Sequence, residues 1–243
     1  DRGIVDAEVP GGTTDFGTSL LNNKIAFGVG KSDTTIQSQS SINTGDWNHV
    51  AVTRNSSTGS MQIYINGTLE ASGSGPTGSR SAPNAIAIGS LLNGGGYLNA
   101  SIDELRLWNT VRTQSDIQAA MNTALAPQSG LVAYYTFNQG SPAGSNAGLS
   151  SLTDISGNGN TGTLYNMALS GSSSNWVAGV VADQIPGAIQ LNADQMLDNT
   201  NLILTGSNSF TVTNLEANLD ASGTNGSLTV NTSNIIDNAA SLK

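Results

Sequence analysis

Apolar and polar positions alternate in short runs along the first half of the chain. IAFGVG, TTIQSQ, WNHVAVTR, MQIYING, NAIAIGS and IDELRLW, between residues 25 and 108, each show partial or complete alternation bounded by Gly, Asn, Asp or Ser. A period of two is the mark of a strand with one buried face. So many short strands at close spacing predict an all-β sandwich or jelly roll over residues 1–109. The period changes once. In TQSDIQAAMNTAL, residues 113–125, Ile117, Met121 and Leu125 recur every fourth position and Ser115 with Gln118 has the spacing of a capping box, so one amphipathic helix is expected. GLVAYYTFNQG then resumes as a strand ahead of a polar loop containing DISGNGNTG. From residue 181 the style shifts again. SFTV at 209 and SLTV at 227 stand 18 residues apart, which points to a smaller β-rich, solenoid-like segment, with the opening of a second sandwich as the alternative.

Alternation also assigns faces. In IDELRLW, Leu105 and Leu107 share one side with Asp103, while Glu104, Arg106 and Trp108 share the other with Ile102. The same rule gathers Val50, Val52, Met61, Ile63, Ile65, Ile86 and Ile88 into a common core and leaves His49, Gln62 and Tyr64 opposite. That second face mixes aromatic, amide and charged side chains. Sugar rings stack on planar aromatics and bond to amides and carboxylates, so Glu104, Arg106, Trp108, Tyr64 and Gln62 are the candidate ligand-binding residues. The competing reading packs Trp108 beneath the helix that follows it. Trp47 is expected in the core.

Charge narrows the partners. A net charge of −9 with only eight Lys and Arg, all scattered, argues against nucleic acid and anionic membrane surfaces. No apolar run approaches the roughly 20 residues of a membrane span. The chain starts Asp1-Arg2-Gly3, without Met and without the order of a signal peptide, and is expected to be an excerpt of a longer protein. A single histidine, His49, disfavours His-based zinc sites and a Ser-His-Asp triad. A retaining glycosidase needs two carboxyl groups on one face, roughly 5 to 5.5 Å apart. Asp103 and Glu104 face apart, and the same-face acidic pair at strand spacing, Asp6 with Glu8 in GIVDAEV, has no aromatic-flanked acidic partner nearby, which argues against a glycosidase. DISGNGN places Asp154, Ser156, Asn158 and Asn160 at alternate positions like half a calcium loop, but Tyr165 stands where the bidentate Glu belongs, which favours a plain Asx/Gly turn.

DWNHVAVTRNSSTGSMQIYINGTLEASG, residues 46–73, resembles the central hairpin of laminin-G-like, concanavalin A-like jelly rolls, with its Trp-x-His-Val strand and Tyr-x-Asn-Gly ending. YLNASIDELRLWNTVRTQSDI is similar to the closing segment of that family. The resemblance covers about residues 3–126. It implies a concanavalin A-like jelly-roll sandwich with one short helix over residues 1–180, followed by the separate β-rich segment at 181–243. The opening strands of the family are not in front of residue 1, so the domain is expected to begin upstream. The resemblance also nominates Asp103 for a structural calcium ion, against the alternative that it caps a turn. The function it implies is a non-catalytic binding or adhesion module, extracellular or at the cell surface, within a large bacterial surface protein. Its partners are expected to be a glycan or another surface protein and the neighbouring domains of a longer chain. A structural spacer and a glycoside hydrolase of the same superfold are the alternatives, because the fold alone decides no function.

Overall fold

The structure is a computed structural model. It describes residues 1–179 except 10, 11, 13, 14, 31–33, 81–84, 143, 171–174 and 178, together with 203–205 and 229–231. The chain divides into two compact units, Asp1–Asp183 and Gln184–Lys243.

In the first unit, β1 (Arg2–Asp6), β2 (Phe16–Leu21), β3 (Lys24–Val29), β4 (Thr34–Gln37) and the short β8 (Ala87–Ile88) form an antiparallel sheet in the order β4-β3-β2-β1-β8. A second antiparallel sheet holds β5 (Val50–Arg54), β6 (Ser60–Ile65) and β7 (Thr68–Ser74). The two are joined by side chains rather than backbone. Ile25, Phe27 and Val29 on β3 meet Met61, Ile63 and Ile65 on β6 in one buried cluster, with Phe16, Ile36, Val50 and Val52 at its margin. These are the alternate positions of each strand, so period two becomes two layers of a sandwich. The β6–β7 hairpin turns on Asn66 and Gly67, with φ of 50° and 74°. Two successive positive φ values are what a tight primed turn requires, and Asn-Gly is the pair that tolerates them.

Beyond the sandwich strands come β9 (Leu105–Trp108), α1 (Gln114–Ala120), β10 (Leu131–Tyr135), β11 (Ser151–Leu152) and β12 (Gly162–Thr163). β9 pairs antiparallel with β10, and their inner faces feed a second buried cluster of Ala133, Tyr135, Leu152 and Trp176, edged by Leu105 and Leu107.

Several expectations change in detail. Ile88 packs at the edge of this second cluster, not with the Val50 set. Trp47 lies on the surface, 46% exposed. The helix is seven residues long, and its capping box is Thr113 with Asp116, two residues ahead of the Ser115 and Gln118 expected, because Thr113 is the last extended residue before the helix. β9 begins only at Leu105, since Glu104 has φ of 54° and a left-handed residue cannot extend a strand. In the second unit, β13 (Ile203–Thr205) pairs in parallel with β14 (Thr229–Asn231). Parallel neighbours need a long crossover, as stacked coils have. SFTV, the first copy of the proposed repeat, lies outside the described residues.

Candidate functional site

The face expected to be open is largely the floor beneath α1. Arg106 lies opposite Tyr134 across the β9–β10 ladder. Its Nη1 donates to Ala120 O at 2.8 Å, and its Nη2 reaches Glu104 Oε2 at 2.9 Å, Thr123 O at 2.6 Å and the Tyr134 hydroxyl at 3.2 Å. The guanidinium also sits over the Tyr134 ring, 4.8 Å from its centre. Carbonyls in the last turn of a helix have no partners within it, and a cation there answers both the orphan acceptors and the helix dipole. Tyr134 closes the ring of contacts by donating its hydroxyl to Glu104 Oε2. Burial pushes the Tyr134 hydroxyl pKa up and the hydrogen bond to Glu104 adds to it, with Arg106 pulling the other way. The Arg106 and Glu104 side chains are only 10% and 16% exposed. His49 faces the same cluster. Burial lowers its pKa, the positive charge of Arg106 lowers it further, and its buried Nδ1 has no hydrogen-bond partner among the described residues.

The remaining candidates separate. Tyr64 is buried, and its hydroxyl donates to Gln62 Oε1 at 2.9 Å. Trp108 is half-buried, with the Arg112 guanidinium 4.3 Å above its ring. Glu104, Arg106 and Tyr64 are therefore engaged inside the chain, although the buried Arg106 Nε has no hydrogen-bond partner among the described residues, and Trp108 stays partly exposed. The alternation reading saw a face but could not see the helix that covers it.

Asp103 accepts the Glu104 N–H through Oδ1 at 3.0 Å. A Cβ on Gly179 would stand 2.2 Å from its Oδ2, so the chain passes directly over this carboxylate. Among the described residues no three Asp, Glu, His or Cys side chains converge as metal ligands. The calcium expectation at Asp103 stands on the resemblance alone.

Asp6 and Glu8 do converge. A Cβ on Gly17 would stand 2.8 Å from Asp6 Oδ1 and 3.3 Å from Glu8 Oε1, so glycine leaves room for both carboxylates over one spot of the sheet. Asp6 is buried and accepts the Leu92 N–H through Oδ2 at 2.6 Å.

The DISGNGN loop does more than turn the chain. Asp154 accepts from Tyr134 N and Ser156 N through Oδ1 and from Ser156 Oγ and Asn160 N through Oδ2, at 2.8 to 2.9 Å. Burial raises its pKa, but these donors outweigh burial and hold it below the usual carboxylate value. With both oxygens filled by N–H and O–H donors, the loop is an Asx turn and not a calcium loop. Its outer side chains fasten to strand β10. Asn158 Nδ2 donates to Leu131 O at 2.8 Å and to Val132 O at 3.1 Å, and Asn160 Nδ2 donates to Val132 O at 2.8 Å. Between this loop, β10 and the end of β9 lies a cleft of about 410 Å³, lined by Asn109, Gln128, Ser129, Val132 and Asn158 among others. The alternating Ser156, Asn158 and Asn160 are a sequence signal for the latch alone, since small polar side chains at alternate positions can fasten to a strand edge.

Sandwich, closing strand and helix fit one family description, the concanavalin A-like lectin/glucanases superfamily, whose model matches residues 2–118. The laminin-G-like reading of the two motifs is thereby carried by the whole matched stretch. The chain is similar to a crystal structure from Bacteroides ovatus ATCC 8483 that is described, provisionally, as a carbohydrate binding protein. Identity is 20% and the TM-score 0.54, over 68% of this chain and 47% of that one. This chain thus spans about half of that protein, and at such identity the likeness speaks for the fold alone. An S-layer domain-containing protein from Clostridium thermocellum ATCC 27405 is also 20% identical, over 48% of this chain and 60% of that one, with a TM-score of 0.23. No curated protein matches. No helix among the described residues is long and apolar enough to cross a membrane.

Proposed function

We propose that this laminin-G-like unit is a non-catalytic binding module of an extracellular, cell-surface protein, and that its ligand is a glycan. The observation that carries the reading is the end of β9, where Trp108 is partly exposed and the adjoining Asn109 lines a cleft rimmed with amides. An aromatic face with neighbouring amide donors and acceptors is the chemistry that sugar rings require. The description of the Bacteroides structure as carbohydrate-binding supports the same reading. Glu104 and Arg106, bound to each other and to the end of α1, serve as its scaffold. A glycan array probed with the intact chain tests the proposal. Binding to at least one glycan is expected, weakened about tenfold or more by Trp108→Ala, the range of a central aromatic contact. Silence across the array favours the spacer reading. Calcium at Asp103 is a further proposal. Chelation of metal-loaded protein should lower the melting temperature, and an unchanged melt removes calcium from the account.

A second reading rests on Asp6 and Glu8. Glycoside hydrolysis uses a pair of carboxyl groups flanking the scissile bond, and these two lie over the same glycine, although Asp6 already accepts a backbone N–H. Release of reducing ends from β-glucan or xylan, abolished by Glu8→Gln, would favour it over binding alone.

A further inference from the structure

We propose that the cleft between β10 and the 154–160 loop is a preformed subsite for a single uncharged sugar unit, an inference that rests on the glycan reading above and names where and what it binds. The rim carries exposed hydrogen-bonding groups that no described protein group engages. Gln128 donates through Nε2 to Ala126 O at 3.3 Å and Asn158 donates through Nδ2, so Gln128 Oε1 and Asn158 Oδ1 are acceptors with no partner among the described residues. The Asn109 side chain and the Ser129 hydroxyl make no hydrogen bond there either. Amides and hydroxyls offer donors and acceptors on one rim, which suits a ligand whose hydroxyls also do both.

The rim also defines what is excluded. None of the residues lining the cleft is charged. The nearby Asp154 carboxylate is saturated by its own donors. An anionic ligand would leave water without meeting a cation, and a cationic one without meeting a free carboxylate, so a neutral ligand is favoured. Half-buried Val132 gives the wall an apolar patch for the C–H face of a ring. A volume of about 410 Å³ lies at the small end of ligand pockets, roughly 300 to 1,000 Å³. That suits one sugar unit better than a threaded chain.

Preorganisation separates this cleft from a chance grouping of surface amides. Asp154 pins the loop at four points, and Asn158 and Asn160 bind it to the Leu131 and Val132 carbonyls. Less ordering therefore remains to be done when ligand enters.

Ligand-detected saturation-transfer NMR on the intact chain tests this. The probes are the methyl glycosides of glucose, galactose and mannose, with glucuronic acid and sialyllactose as charged counterparts. At least one neutral glycoside is expected to bind, and the Asn109→Ala, Gln128→Ala double variant should weaken it about tenfold without shifting the melting temperature. Asn158→Ala, which also unpins the loop, should weaken binding at least as far. If an array-positive glycan keeps its affinity in the double variant but loses it in Trp108→Ala, the cleft is not the subsite and the binding-module reading survives. Binding confined to the charged probes overturns the neutral class. If neither glycosides nor array glycans bind, both proposals fall together.

Discussion

The β5–β6–β7 sheet and the β9–β10 region are built from similar strands but are held in different ways. The first is clamped by apolar side chains at every second position, with Met61 and Ile63 fully buried against β3. The second has an apolar underside, but its outer surface is fastened by polar side chains that reach backbone groups far away in sequence. Arg106 binds carbonyls 14 and 17 residues on, and Asn158 and Asn160 bind carbonyls 26 to 28 residues back. Apolar burial is non-directional, whereas a hydrogen bond depends on both distance and angle. The stiffly aligned, polar region is also where the proposed binding surface lies.

That contrast can be broken by mutation. Ile63→Ala should cost about 4 kcal/mol in a denaturant melt, since a fully buried isoleucine loses both transfer energy and packing. Arg106→Ala should cost less, about 2 kcal/mol, because the stranded Glu104 retains some solvent exposure that softens the usual penalty of a broken buried pair. Equal losses for the two variants would erase the distinction between the halves. An Arg106→Ala change within experimental error of wild type would mean that the helix does not depend on this fastening.

A smaller effect should appear with pH. In the unfolded chain His49 titrates near 6.5. In the folded chain burial and Arg106 depress it, so between the folded value and about 6.5 the unfolded state holds more protons. Stability is then full above that pH and declines as pH falls through it toward the depressed value. Asp154, also depressed, adds its own loss only below about pH 4, where its unfolded carboxyl takes a proton. His49→Gln should flatten the upper part of this decline and leave the lower part unchanged. A slope that persists in the variant would place the titrating group elsewhere.

The two halves also differed in how far they could be read in advance. The sandwich strands, their core faces and the family were legible because period two is a local pattern that repeats in IAFGVG, WNHVAVTR and MQIYING. Leu105 and Leu107 fell on the buried side for the same reason. Local pattern fails where a distant element decides. Nothing in IDELRLW states that α1 returns to lie on Arg106, or that Glu104 takes a left-handed conformation and ends the strand early. Trp47 was drawn toward the core by its size alone. The cleft was hidden for a related reason, since it forms where three segments meet and no one of them carries its signature.

The brevity of α1 bears on the order in which the molecule assembles. A seven-residue helix is well under the roughly 12 to 15 residues at which isolated helices become even marginal in water. Its front end is steadied by Gln114 and Gln118, whose side chains both donate to Gly67 O in the β6–β7 turn, and its back end by Arg106 on β9. Both moorings must exist before the helix can persist. The hairpin and β9 would therefore come first on the folding route, with α1 docking late as a lid sealed from both ends. Substitutions at Gln114 or Gln118 should then quicken unfolding while scarcely changing the rate of folding.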